Sequence, residues 1–179
     1  MFTTDNTLFV LIDVQGNLAQ AMYGKDELFS NLQKLVSGMR VLNVPVIWFE
    51  QVPERMGPTI PELATLLESE APIAKASFSC CGVPDFEQRL ERTGRKQVVI
   101  AGIEAHVCVY QTAVDLLDKG YSVEIVGDAV SSRVLSNKEA GLAKVKDKGA
   151  GLTSTEMILL ELLRGADHPC FKEILKLIK

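Results

Sequence analysis

The chain has 179 residues, of which 47% are hydrophobic and 23% are charged. This length suits one domain, which we place over residues 1–179, and this composition excludes an intrinsically disordered chain. The net charge is −4 and both signs are interspersed. No basic stripe is therefore available for a phosphate backbone, and we expect no nucleic-acid partner. The mild excess of apolar residues predicts that some surface is buried in a homo-oligomer, a dimer or larger.

The first residues, MFTTDNTLFVLIDV, carry no positively charged segment, and their apolar run ends at Asp13. That run is too short for a signal peptide or a membrane span, so we expect a cytoplasmic protein without membrane attachment. The cysteines lack CxxC spacing, which favours reduced thiols over disulfides. The two histidines, His106 and His168, form no HExxH motif, so we expect no metal site. Without GxGxxG or GxxxxGK(S/T) loops, we also expect no cofactor.

Hydrophobic periodicity predicts strands that alternate with helices along the chain. The predicted strands are 7–12, 44–49, 72–76, 97–101, 122–126 and a short one at Leu152. The predicted helices are 28–42, 59–67, 85–91, 107–117, 136–147, one that ends at Leu163, and a terminal helix from Phe171. Capping-box spacing marks three helix starts, at Thr59, Ser136 and Thr153. This order predicts a doubly wound α/β fold whose ligand lies at the carboxyl ends of the parallel strands.

The segment VVIAGIEAHVCVYQTAVDLL is the most informative part of the sequence. It leads from a strand through a turn at Gly102 into a helix whose first turn would contain Cys108. Free N–H groups and the helix dipole at that position would lower the thiol pKa, and the same N–H groups could hold an oxyanion. We therefore expect Cys108 to react with iodoacetamide faster than the other cysteines near about pH 6 to 7. The alternative is an inert, buried cysteine.

Polar residues follow other predicted strands at the same edge of the sheet. Asp13 ends the first strand, Glu50 and Gln51 end the second, and Lys75 lies on the third. For Asp13 the alternative is a loop or helix cap, and for Lys75 it is a solvated surface lysine. Together, however, a carboxylate and an ammonium beside a thiol supply a proton acceptor and a cation, which nucleophilic catalysis requires.

Three motifs resemble the isochorismatase-like cysteine hydrolases: LFVLIDVQ, KASFS, and GIEAHVCVYQTAVDLLDKGYSVEIVGDAVSSR. The Asp-Lys-Cys triad of that family matches Asp13, Lys75 and Cys108. The segments EQVPERMGPTIPEL and HPCFKEILKLIK are similar to the subgroup of isochorismatase domain-containing proteins. The resemblance implies a six-stranded parallel sheet with helices on both faces, and an oligomer.

The resemblance also implies a role for each residue. Asp13 would take the proton from Cys108, Lys75 would hold the sulfur anion and the substrate, and Cys108 would attack a carbonyl to form a thioester. The backbone N–H groups of Cys108 and Glu104 would form the oxyanion hole, aimed by a cis bond between Ile103 and Glu104.

Differences between this sequence and the members of that superfamily restrict the range of expected substrates. The segment WFEQVPERMG lacks the metal ligands of nicotinamidases, and Cys108 is absent from authentic isochorismatases, which cleave a vinyl ether. Small amides, ureas or imides are the expected substrates, with hydrolysis of a C–N bond. The segment IDVQGN is similar to aspartate-nucleophile phosphatases, but Gln15 replaces their second aspartate.

Five residues near the triad are candidates for substrate binding: Gln15, Trp48, Glu50, Phe78 and His106. Alternate side chains of a strand face opposite sides of the sheet, so some of the five must be packing residues, and Trp48 suits the core or an interface. The alternative to an enzyme is a non-catalytic scaffold of the same fold that binds partner proteins.

Overall fold

A parallel β-sheet forms the centre of the molecule in a computed structural model that describes residues 1–68 and 71–179. Its strands are β1 (Thr7–Ile12), β2 (Val46–Gln51), β3 (Ile73–Lys75), β4 (Gln97–Ile103), β5 (Ser122–Ser131) and β6 (Gly151–Thr153). They pair in parallel in the order β3-β2-β1-β4-β5-β6. The predicted doubly wound α/β fold with six parallel strands is confirmed.

Helices cover both faces of the sheet. They are α1 (Gly16–Gln20), α2 (Lys25–Val41), α3 (Pro53–Met56), α4 (Pro61–Ala64), α5 (Pro84–Thr93), α6 (Tyr110–Asp118), α7 (Leu135–Asp147), α8 (Thr155–Leu163) and α9 (Phe171–Ile178), with a π-helical turn at Ala105–Val109. The core under one face includes side chains of α2, α8 and α9, and the core under the other includes side chains of α5, α6 and α7. None of these helices, within the described ranges, is long and apolar enough to cross a membrane.

The central strand β1 shows why the sheet is buried on both sides. All six of its side chains, TLFVLI, are buried, as expected for a parallel sheet with two covered faces. Phe9 and Leu11 belong to one core, whereas Leu8, Val10 and Ile12 belong to the other. The period of two thus supplies an apolar layer to each set of helices.

The predicted strand positions are confirmed, but several strand ends differ. β2 begins at Val46 and continues to Gln51, while β4 and β5 continue to Ile103 and Ser131. The pairing of β4 with β5 shifts register between Ile100 and Gly102 and then resumes. Local sequence carries no signal for pairing that resumes after such an irregularity, so both strands were predicted too short.

The capping box predicted at Thr59 was wrong. The Thr59 hydroxyl donates to Glu50 Oε1 (2.9 Å), and α4 begins two residues after Thr59, at Pro61. A hydroxyl that donates to a buried carboxylate on the neighbouring strand is not used for the helix start.

The other two predicted caps were also misplaced. α7 begins after Val134 without a side-chain cap, so Ser136 lies inside the helix. At α8 the cap is Ser154, whose hydroxyl accepts from the Met157 N–H (3.2 Å), rather than Thr153. The short helices α1 and α3 were not predicted, because neither is long enough to show an apolar period.

Gly102 allows β4 to approach β1 at the carboxyl edge of the sheet. Its φ is +119°, and a Cβ atom there would lie 2.1 Å from the carbonyl oxygen of Ile12. Only glycine fits this position. The strand order reverses between β1 and β4, and ligands of doubly wound sheets bind at such a switch point. The ends of β1 and β4 therefore border the expected ligand crevice.

Candidate active site

Asp13 follows β1 directly and is almost fully enclosed. Its backbone φ is 53°, in the left-handed region, and the residue is 2% exposed. Oδ2 accepts a hydrogen bond from Lys75 Nζ (2.6 Å). Oδ1 is buried and receives no hydrogen bond from a nitrogen or oxygen donor in the described part of the chain. Because a buried polar atom without a partner is costly, this oxygen is available to accept a hydrogen bond or a proton from a neighbouring group.

Lys75 ends β3, and its side chain has no exposed surface. Nζ donates to Asp13 Oδ2 and Gln51 Oε1, both at 2.6 Å, and to the carbonyl oxygens of Ser77 (3.2 Å) and Phe78 (3.1 Å). Four oxygens thus share the three N–H donors of an ammonium group. The alternative of a solvated surface lysine is excluded.

Gln15 holds Gln51 in place behind the ammonium group. Gln15 Oε1 accepts from the Gln51 N–H (2.6 Å), and its Nε2 donates to the carbonyl oxygens of Gln51 (3.3 Å) and Gly57 (2.7 Å). Gln51 Nε2 in turn donates to the Ala76 carbonyl oxygen (2.7 Å), which fixes the amide that receives Lys75. The structure therefore gives Gln15, a predicted substrate residue, a supporting position.

Cys108 lies in the π-helical turn, not in the first turn of an α-helix as predicted. The Val109 N–H donates to the Glu104 carbonyl oxygen (3.3 Å), the i to i+5 bond of such a turn, and α6 begins only at Tyr110. Cys108 is 8% exposed and packs in the core shared with α5, α6 and α7. This turn follows β4 and brings the thiol to the crevice beside Asp13.

The pKa of the Cys108 thiol is raised from 9.0 to about 12, first by burial and then by the negative charge of Asp13. Lys75 and the Glu104 N–H lower this pKa without outweighing those causes. The expected low pKa was therefore wrong. Burial also raises the pKa of Asp13, whereas Lys75 and the Cys108 thiol lower it. At rest the thiol keeps its proton, and the free oxygen of Asp13 is suited to remove it.

Glu104 connects the thiol with a distant arginine. It follows a cis peptide bond from Ile103, as the resemblance implied, and its backbone N–H lowers the pKa of the Cys108 thiol. Its Oε1 accepts from the N–H and Nε of Arg133, both at 3.1 Å, and its Oε2 from Nη2 (3.4 Å). Arg133 is absent from the predicted site residues, since no local pattern marks a contact between residues 29 positions apart.

Glu50 and Trp48 lie on β2, and neither side chain points freely into the crevice. Glu50 Oε1 accepts from the N–H (2.7 Å) and hydroxyl (2.9 Å) of Thr59, and its charge raises the pKa of Asp13. Trp48 is 6% exposed and belongs to the core under α2, on the opposite face of the sheet from Cys108. Its predicted alternative, a core position, is the one that the structure supports.

Phe78 and His106 stay candidates for the wall of the substrate pocket. The Phe78 side chain is exposed although its carbonyl oxygen accepts from Lys75. His106 is half-buried, and its Nδ1 lies 2.9 Å from Ser132 Oγ. In residues 1–68 and 71–179 no three His, Cys, Asp or Glu side chains are grouped so that they could hold a metal ion.

Comparison with known proteins identifies the family of this chain. The model of the isochorismatase domain matches residues 7–157, which include Asp13, Lys75 and Cys108. The chain belongs to the isochorismatase domain family. The family indicated by the sequence motifs is thus confirmed.

Curated relatives match the chain over nearly its full length. Isochorismatase domain-containing protein 2 of Danio rerio is 38% identical over 98% of this chain and 88% of its own length. The secreted isochorismatase effector Isc1 of Phytophthora sojae is 39% identical over 97% of this chain and 84% of its own.

Two solved structures of this fold are also similar. MAR1 ribonuclease from Caenorhabditis elegans has a TM-score of 0.93 and 38% identity, and the match covers 99% of this chain and 91% of that one. YcaC from Pseudomonas aeruginosa, solved with hexane-2,5-diol and covalent acrylamide, has a TM-score of 0.92 and 26% identity over 98% of this chain and 90% of that one.

Proposed function

We propose that this isochorismatase-family protein is a cysteine-dependent hydrolase of small amides, ureas or imides. The observation that carries the proposal is the difference in surroundings between the two carboxylate oxygens of Asp13. Oδ2 is occupied by Lys75, whereas Oδ1 is buried and receives no hydrogen bond from a nitrogen or oxygen donor in the described chain, and the protonated Cys108 thiol contacts this carboxyl. A carboxylate held in this way is placed to act as the base for Cys108.

In the first half of the reaction the Cys108 sulfur attacks the substrate carbonyl carbon while its proton passes to Asp13 Oδ1. The carbonyl π electrons move to the oxygen, which the N–H groups of Glu104 and Cys108 stabilise. When the C–N bond breaks, the electron pair of that bond leaves with nitrogen, which takes the proton from Asp13. The products of this half are a thioester on Cys108 and a free amine.

In the second half, water attacks the thioester and gives one proton to Asp13. The C–S bond then breaks, the acid is released, and the thiolate recovers the proton from Asp13. The Lys75 ammonium group stabilises the transient sulfur anion. The high pKa of the thiol is compatible with this cycle, because the base acts only as the sulfur attacks.

The acrylamide bound covalently to the Pseudomonas aeruginosa relative supports this proposal. Acrylamide is a small amide and an electrophile, so a covalent adduct indicates a nucleophile in that protein. In this chain we assign the corresponding reactivity to Cys108.

The test is a panel of small amides, ureas and imides assayed with the wild type, Cys108→Ser and the control Cys170→Ser. The Cys170 thiol lies 3.5 Å from the Val41 carbonyl oxygen, among residues of the opposite core. We expect Cys108→Ser to lose at least about 10³-fold of the turnover, since serine is a poor nucleophile for a base tuned to a thiol, and Cys170→Ser to keep it. Equal turnover in all three proteins would refute the proposal.

The name of the Caenorhabditis elegans relative supplies a second candidate, RNA cleavage. The net charge of −4 and the absence of a basic stripe in the sequence disfavour it. A labelled RNA oligonucleotide assayed beside the amide panel separates the two. RNA cleavage that Asp13→Asn abolishes, without amide turnover, would replace the present proposal. If neither class of substrate reacts, the non-catalytic scaffold becomes the better description.

We also propose a cytoplasmic homo-oligomer. Large exposed apolar side chains occur at the carboxyl edge of the sheet and support a subunit interface: Tyr23, Phe78, Val134 and Leu135. Light scattering after size-exclusion chromatography would measure the assembly, and a monomer would contradict it. Fractionation of cells and medium tests the location, for which the secreted Phytophthora sojae relative is the contrary case.

A further inference from the structure

Glu104 is fixed by contacts on each of its polar groups. Its carbonyl oxygen accepts from the N–H groups of Val107 (3.1 Å) and Val109 (3.3 Å), and its own N–H is close enough to the Cys108 thiol to lower the pKa of that thiol. Its carboxylate is held by Arg133 through three N–H donors. The first contacts are local to the π-helical turn, whereas Arg133 follows β5, the strand that neighbours β4.

Burial is unequal in this ion pair. The Glu104 side chain is 11% exposed, whereas the Arg133 side chain is 60% exposed. An exposed ion pair adds little to stability, but a buried carboxylate needs a partner to stay in place. Two of the donors converge on one oxygen and include the Arg133 backbone, so the geometry is well defined. The pair therefore acts mainly on the orientation of Glu104.

We propose that Arg133 is a positioning residue, which holds the Glu104 carboxylate and thereby aims the Glu104 N–H at the reacting carbonyl oxygen and sulfur. This inference rests on the proposed hydrolase function. It assigns the exposed guanidinium to the oxyanion hole rather than to substrate binding. Donors of an oxyanion hole stabilise the transition state more than the bound substrate, so the loss of their alignment lowers kcat and leaves KM nearly unchanged.

The surroundings of Arg133 make it part of a rigid support. Arg133 lies between β5 and α7, and α7 packs directly on the π-helical turn. At Gly141 of α7, a Cβ atom would lie 2.7 Å from His106 Cα. Two contacts therefore hold the turn that carries Cys108. One is the ion pair of Arg133, between β5 and α7, with Glu104, and the other is the close packing of Gly141 on His106.

The first experiment compares Arg133→Lys with the control Arg89→Lys, an arginine paired with Asp85 (3.0 Å) on α5. Arg133→Lys keeps the charge and loses the forked guanidinium, so we expect kcat to fall about 10-fold with KM within about threefold. The control should keep both values. A rise in KM at unchanged kcat would mean that Arg133 contacts the substrate, and no change in either value would mean that it has no role. Either result overturns the inference.

A second pair of variants separates alignment from charge. Glu104→Ala removes a negative charge near the thiol, which by itself favours the thiolate and faster attack. If alignment dominates, kcat instead falls about 10-fold or more, and Glu104→Gln, which keeps an acceptor oxygen for Arg133, stays within about threefold of the wild type. A Glu104→Ala protein as active as the wild type would overturn the inference.

A readout without substrate keeps the test independent of the proposed hydrolase. The Glu104 N–H lowers the pKa of Cys108, so Arg133→Lys should slow iodoacetamide alkylation of Cys108 about threefold near about pH 9.5. An unchanged rate overturns the inference. A slower rate in a protein that hydrolyses nothing would sustain the positioning role while the proposed function fails.

Discussion

The Asp13–Lys75 pair is nearly inaccessible to solvent, with side-chain exposures of 2% and 0% and an N–O distance of 2.6 Å. Removal of one partner of such a pair typically costs about 3–5 kcal/mol because the other charge stays buried. Lys75→Ala would therefore disturb the fold together with the chemistry. Asp13→Asn is the cleaner variant, since its amide oxygen can still accept the hydrogen bond from Lys75.

Asp13→Asn should change alkylation and hydrolysis in opposite directions. The Asp13 charge is the second cause of the high pKa of Cys108, so its removal lowers that pKa and speeds alkylation at about pH 8 to 9. The same change removes the base, and we expect kcat to fall about 10²- to 10⁴-fold. Alkylation is followed by mass spectrometry of the Cys108 peptide and hydrolysis by substrate turnover.

Asp118→Asn is the matched control, because Asp118 ends α6 on the exposed surface. It should change neither rate. A variant Asp13→Asn that loses reactivity in both assays would show that Asp13 activates the thiol already in the free protein, although its charge raises the pKa of Cys108.

Asp13, Lys75 and Cys108 could be selected from the sequence because each lies at or after the end of a strand, where a doubly wound sheet places its ligand. Sequence reasoning missed the direction of the Cys108 pKa, since the helix dipole is a local effect whereas burial and the Asp13 charge arise only from the folded chain. It missed the positions of Gln15 and Arg133 for the same reason. Their partners, Gln51 and Glu104, are 36 and 29 residues away.

The π-helical turn sets the position of Cys108, and α7 limits how far that turn can move. Such turns often mark functional sites, but they leave no period in the sequence that differs from an α-helix. The predicted helix 107–117 therefore had the right location and the wrong internal geometry. The strands were predictable because their apolar runs are local, whereas the helix start misplaced at Thr59 depends on the contact of its hydroxyl with Glu50 on β2.

Gly141→Ala should impair the active site through this packing. Alanine is normally better than glycine inside a helix by about 1 kcal/mol, yet here the new Cβ would lie 2.7 Å from His106 Cα and 2.9 Å from the Ala105 carbonyl carbon. The backbone of α7 or of the turn must move. We expect a loss of stability of about 1–3 kcal/mol in urea unfolding and a fall in kcat of about 10-fold.

Gly38→Ala on α2 supplies the comparison. Its new Cβ would lie 2.5 Å from Leu159 Cδ2, a side-chain atom in the core on the opposite face from Cys108. This variant should lose some stability and keep kcat. An equal fall in kcat for both variants would indicate a general loss of packing, and unchanged kcat for Gly141→Ala would remove α7 from the support of the site.

Across the whole molecule, two covered faces of one sheet leave the crevice between β1 and β4 as the place for chemistry. The helices that cover the sheet also bury cysteine thiols. Burial is the main reason that the pKa values of Cys108 and Cys81 are raised to about 12 and about 11, and that of Cys80 well above its ordinary value. Because these thiols hold their protons more tightly in the folded protein than in the unfolded chain, the stability of the fold depends on pH.

This linkage predicts a loss of stability in alkali to which Cys108 contributes a measurable part. In the unfolded chain its pKa is 9.0, whereas in the folded protein it is about 12. A raised folded pKa leaves stability intact below about pH 9 and reduces it as the pH rises toward 12, because only the unfolded thiol then releases its proton. Between about pH 9.5 and 10.5 the contribution of Cys108 to the free energy of unfolding should fall by about 1 kcal/mol.

Urea unfolding under reducing conditions measures the slope of the free energy of unfolding against pH in the wild type, in Cys108→Ala and in the exposed-site control Met157→Ala. We expect the smaller slope in Cys108→Ala alone, whatever its absolute stability, and equal slopes in all three proteins would mean that the folded thiol ionises as easily as the unfolded one.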